Sequence, residues 1–160
     1  MRNVCVIAMG NLKESYLREA LEEYEKRLSG FCRLEVCQLK EARLPDDPSP
    51  AQVAAALDEE AERILARIPP KAYTVALCVE GKEFTSEALA AHLDEVEQRM
   101  GDLCFVIGSA WGLSDKVKAA ADLRLSLSKL TFPHQLFRVL LLEVLYRTAN
   151  ILRGTKYHRA

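Results

Sequence analysis

Five short apolar runs, each followed by an amphipathic pattern, set the tightest limit on what this chain can fold into. "NVCVIAM" (3–9), "CRLEVCQL" (32–39), "AYTVALCV" (72–79), "LCFVIG" (103–108) and "LRLSL" (123–127) read as strands. The intervening segments 14–28, 50–68, 85–101 and 115–121 carry helical spacing, and a last helix runs from Pro133 to about Leu152. Near-continuous apolar strands need cover on both faces of a sheet. Strict β-α alternation with such strands predicts an α/β fold, a mostly parallel sheet with helices on both faces. Sheets of this kind bind ligands beyond the carboxyl ends of their strands.

The punctuation agrees with this order. Ser29-Gly30 stops the first helix, and "KEARLPDDPSP" reads as a loop. Ser49 suits an N-cap and Pro50 a first helical position. Pro69-Pro70 ends the second helix, Glu80-Gly81-Lys82 closes the third strand, and Ser114-Asp115 opens a short helix. There is no internal repeat, and 160 residues match one domain spanning 1–160.

Composition removes several functional classes. No apolar run approaches the roughly 20 residues of a membrane span, and "MRNVCVIAMG" lacks a signal peptide's long apolar core. The expectation is a cytoplasmic protein with no membrane partner. Cys5, Cys32, Cys37, Cys78 and Cys104 form no CxxC pair, and no histidine stands at ligand spacing from them. They read as buried free thiols in a reducing compartment, with no metal. Net charge is −1, which does not describe a general DNA or RNA binder. The last 14 residues, however, hold Arg147, Arg153, Lys156 and Arg159 and no acid. Without those four cations, 18 Lys and Arg face 23 Asp and Glu, a balance of −5. A basic, aromatic-bearing tail on an acidic body is either a phosphate-facing patch or a solvated end.

Three strand ends are chemically unusual: "LCVEGK", "VIGSAWG" and "LSLSKLTFPH". "GSAWGLS" is neither GxGxxG nor GxxxxGK[ST], so nicotinamide and ATP have no motif behind them. Ser109 lacks the G-x-S-x-G setting of a hydrolase nucleophile. In the last helix, nine of residues 136–146 are apolar and only Arg138 and Glu143 are not. Such a helix needs burial on nearly all sides, from the core and from a subunit interface, and its two charges are costly unless paired or used. Pro133 suits the first helical position, which makes Phe132 the N-cap and leaves the first amides without a side-chain acceptor. His134 stands at that helix start, in a position more often structural than catalytic.

These loops, in this order, resemble one family. "SLSKLTFPHQLFRVLLLEVLYRTANILRGTKYH", "MGNLKESYLREALEEYEKRL" and "FVIGSAWGL" are similar to the closing signature, opening helix and glycine loop of the RlmH family. Its members are pseudouridine-N3 methyltransferases of the large ribosomal subunit, within the SPOUT class. The resemblance runs from residue 1 to 160. It implies a C-terminal trefoil knot, a homodimer, and action on 23S rRNA in the assembled ribosome, with no DNA partner. It implies S-adenosyl-L-methionine as methyl donor, held by Leu77, Gly108, Leu127, Ser128, Lys129, Leu130, Thr131 and Phe132. It also implies a catalytic tail of Tyr157, His158 and Arg159 that reaches the site across the dimer. His158 is the candidate base for the N3 proton by residue type, with Arg159, Lys156 and Arg153 on phosphate. The family pattern has two glycines together in the glycine loop, and here the second is Ser109. A serine there is strained if the position needs a positive φ. The rival readings are a knotted methyltransferase with another RNA substrate and, supported by Ser109, a ribosome-binding dimer without catalysis.

Overall fold

The computed structural model describes residues 1 and 3–159. Its elements are β1 (Asn3–Met9), α1 (Ser15–Leu28), β2 (Arg33–Leu39), α2 (Pro50–Arg67), β3 (Tyr73–Lys82), α3 (Ser86–Met100), β4 (Leu103–Ile107), α4 (Asp115–Ala120), β5 (Leu123–Leu125) and α5 (His134–Arg153). The strands form one sheet in the order β2-β1-β4-β3-β5, with every neighbouring pair parallel. The α/β fold expected from the alternation is the one that forms.

The apolar strands divide their side chains between two cores. Along β4, Leu103, Phe105 and Ile107 meet α1, α3 and α5, while Cys104 and Val106 meet α2 and α4. Each large side chain withdrawn from water in this way contributes about 1.5–3 kcal/mol. Sequence caps hold the helix starts. Ser49 and Gln52 form a reciprocal capping box on α2, and Thr85 caps α3.

β3 is longer than its apolar run, because "EGK" continues the ladder and pairs Lys82 with Leu125. Gly81 permits this. A Cβ there would stand 2.7 Å from the backbone carbons of Arg124 and Leu125. β5 is shorter than its alternation, since Ser126 Oγ donates to the Ser128 carbonyl and turns the chain out of the sheet. α5 begins at His134, with Pro133 as its N-cap in place of Phe132 and no side-chain cap bond. The five cysteines are free, but only Cys104 is buried; the others are half-buried at the margins of the cores.

α5 lies between α1 and α3 on the sheet. That position buries or half-buries every residue from 134 to 151, so its own chain supplies much of the cover that its apolarity demands. Arg138 is only 1% exposed. Its Nη2 donates to the carbonyls of Met9 (3.1 Å) and Gly10 (2.9 Å), which ties the start of α5 to the end of β1. Nε and Nη1 meet no acceptor among the described residues, and burial pushes the guanidinium pKa down against the opposing pull of Glu41. Arg138→Ala strands two carbonyls and opens a cavity, so we expect a loss of about 3 kcal/mol, or about 10 °C in melting temperature. Arg138→Met keeps the apolar stem and should recover part of it. A thermal melt of Arg138→Ala that matches the parent protein would refute this.

Candidate functional site

β3 and β4 are neighbours whose chains leave toward opposite faces, β3 to α3 and β4 to α4. A cavity of about 650 Å³ opens beyond their carboxyl ends, where such a divergence leaves a crevice. Its size falls in the range of small-molecule sites. Three segments supply the walls: the end of β3 with Leu77, the loop after β4 with Gly108 to Gly112, and the turn after β5.

Leu77, Gly108, Leu127, Ser128, Leu130, Thr131 and Phe132, all singled out from the sequence, line this one cavity. Lys129 does not. Its ammonium reaches out to Glu83 at 3.5 Å, and its side chain is 83% exposed. The turn itself is partly self-satisfied, since the Leu130 amide donates to Ser128 Oγ at 2.9 Å. Phe137 and His134 of α5 also line the cavity. Trp111 does too, and it is 55% exposed. Lys118 bonds Glu80 at the mouth and holds its carboxyl below the usual carboxylate range.

The glycine loop is a tight turn in which the Gly112 amide donates to the Ser109 carbonyl at 2.9 Å. Gly112 takes a φ of 91°, and Lys71 is the sole non-glycine among the described residues with positive φ. Ser109 therefore carries no left-handed strain. Its hydroxyl points into the protein and donates to Glu60 Oε1 at 2.9 Å.

The tail stands elsewhere. Gly154, in the left-handed region, ends α5, and Thr155 Oγ1 donates to Asn150 Oδ1 at 2.6 Å. This reversal lays the tail back along its own helix. Tyr157 OH donates to Glu143 Oε2 at 2.8 Å, and Arg147 holds the other oxygen of Glu143 at 2.6 Å. Burial, then the Glu143 carboxylate, pushes the Tyr157 phenol pKa up. Arg147 also lies 3.1 Å from His158 Nδ1, while His158 Nε2 lies 2.7 Å from Glu87 Oε1. A guanidinium only donates, so Nδ1 accepts and Nε2–H donates to Glu87. That bond is the main cause holding the Glu87 carboxyl below its ordinary value. Neither ring nitrogen is free in this arrangement. Tyr157, His158 and Arg159 do not line the large cavity of their own chain. Arg147 lines a second cavity of about 160 Å³ that shares Leu127 with the first.

Glu143 and Arg147 are the anchors that motif reading missed. Their signal was present in the i,i+4 spacing of two opposite charges on an otherwise apolar helix. Glu60 gave no signal, being one acid among several on α2.

The chain was compared with known proteins. Residues 2–158 match the family model described as "Predicted SPOUT methyltransferase". The chain is 40% identical over 158 residues to ribosomal RNA large subunit methyltransferase H of Clostridioides difficile, covering 98% of this chain and 99% of that protein. The proteins of the same name from Bacillus pumilus and Streptococcus thermophilus are 42% and 43% identical, again over 98% of this chain and 99% of theirs. With a parallel α/β sheet, a cavity at three strand ends and likeness over nearly its whole length, this chain belongs to the RlmH family of SPOUT methyltransferases.

Proposed function

We propose that this protein is a cytoplasmic S-adenosylmethionine-dependent methyltransferase that modifies large-subunit ribosomal RNA on N3 of a pseudouridine. The observation that carries the reading is the convergence of seven sequence-nominated residues, from three separate strand ends, on one cavity. The fit to the donor rests on that cavity's size, its apolar walls from Leu77, Leu127, Leu130 and Phe132, and the polar backbone of the turn between them. When bound, S-adenosylmethionine supplies a methyl group already activated on a sulfonium.

The chain's part is then alignment and proton removal. Leu127 to Phe132 and the glycine loop fix the donor's direction. His158 takes the N3 proton after leaving Arg147 and Glu87. Because the tail lies outside its own chain's cavity, we place its action in the partner protomer of a homodimer, where Tyr157 and Arg159 meet RNA. The trefoil knot belongs to the same reading. Trp111, exposed at the rim, offers a stacking face to a base.

Calorimetry with S-adenosylhomocysteine, followed by methylation of intact ribosomes and free RNA with mass-spectrometric mapping, tests this. We expect micromolar-range binding, a Trp111 fluorescence change and one methyl on a pseudouridine of intact ribosomes. Binding without ribosome methylation would redirect the substrate, and no binding would remove the enzyme reading. With Ser109 unstrained, no specific observation favours a dimer without catalysis.

A further inference from the structure

We infer that Glu60 is a positioning residue that sets the glycine loop for the methyl donor, an inference that rests on reading the large cavity as the cofactor pocket. Glu60 lies on α2, the helix layer opposite α5, and is 4% exposed. It spends its two carboxylate oxygens on two different loops. Oε1 accepts from Ser109 Oγ at 2.9 Å, and Oε2 accepts from the Ala42 amide at 3.0 Å. Ser109 is the second residue after β4, and it lines that cavity. One buried carboxylate thus joins the first turn of the donor site to the loop after β2.

A side chain spread over two loops limits where both can sit. A carboxylate this deeply buried is tolerable only if its oxygens are satisfied. Moving Ser109 toward or away from the cavity breaks a bond that water cannot readily replace. The far end of the same loop makes a contrast. Ser114 Oγ donates to Asp58 Oδ1 at 2.8 Å, but the Asp58 side chain is 50% exposed and shared with Lys116. Solvent reaches the Asp58 half of that bond, whereas Ser109 and Glu60 are both buried. The fully buried pair is the one beside Gly108 and the cavity wall.

Glu60 does not line the cavity and acts through Ser109, which does; that defines the test. Binding of S-adenosylhomocysteine is measured by calorimetry well below each variant's melting temperature, so lost stability alone does not register. Glu60→Ala should weaken binding about tenfold and Ser109→Ala about fivefold, the scale of a lost buried hydrogen bond. The double variant should bind like Glu60→Ala, because the two changes remove one linkage. Glu60→Gln should restore most of the affinity, since its amide oxygen can accept from Ala42 and its NH₂ can donate to Ser109. Asp58→Ala should stay within about twofold of the parent, as expected of a solvated pair. Unchanged binding by a folded Glu60→Ala, or additive losses in the double variant, overturns the inference. Should Glu60→Ala not fold, unchanged binding by Ser109→Ala overturns it equally. Failure of the parent protein to bind the probe would instead sink the cofactor reading, and this inference with it.

Discussion

Deletion of residues 155–160 is expected to abolish methyl transfer and to leave S-adenosylhomocysteine binding unchanged. The two properties separate because the chain separates them. The large cavity proposed for the donor is built from strand ends of β3, β4 and β5, whereas Tyr157 and His158 dock on Glu143, Arg147 and Glu87. Losing a general base costs about 10²- to 10⁴-fold, and losing the phosphate-facing cations adds to that. His158→Ala alone should account for the base's share, with the tail's charge intact. Methylation of ribosomes by the truncated protein at the parent rate would sink the tail's role. Lost donor binding would show that the tail shapes the cavity after all.

The second large effect belongs to a single methyl group. A Cβ at position 108 would lie 2.2 Å from the Gly112 carbonyl oxygen and 2.5 Å from its carbon. Both are backbone atoms of a closed turn, so no side chain can swing aside. Gly108→Ala must open the turn by about 1 Å, a displacement that costs about a hundredfold where alignment matters. Methyl-transfer rate should fall by about that factor, with a measurable loss of donor affinity beside it, while far-ultraviolet circular dichroism stays unchanged. Calorimetry decides. Parent-like affinity would mean that the glycine loop does not contact the donor.

How much of this could be read from the residues follows from the range of each contact. Strand and helix positions were legible because period and punctuation are local: Ser49, Thr85 and Ser114 cap the helices that follow them. That three strand ends form one cavity was legible because strand ends in a parallel sheet converge, while the individual residues came from the resemblance. Lys129 sits between cavity-lining neighbours, and spacing along a turn says nothing about which way its side chain rotates. The bond between Ser109 and Glu60 spans 49 positions and depends on how α2 packs under β4, which no period encodes. α5 shows the same limit in another form. Its composition demanded cover on all sides but could not say which part of it α1 and α3 supply.

The position of β5 has a consequence for the site's motions. This strand is three residues long, lies at the sheet edge and has only β3 as a neighbour among the described residues, yet the turn it carries forms one wall of the cavity. Edges with few ladder bonds exchange their amide hydrogens through local openings that cost far less than global unfolding. β1 and β4, paired on both sides, exchange through the larger openings. A ligand spanning β3, the β4 loop and this turn stabilises the closed arrangement by about 2.7 kcal/mol at a hundredfold excess over its Kd. Bound ligand is therefore expected to slow amide exchange at β5 far more than at β1, and product release to restore it.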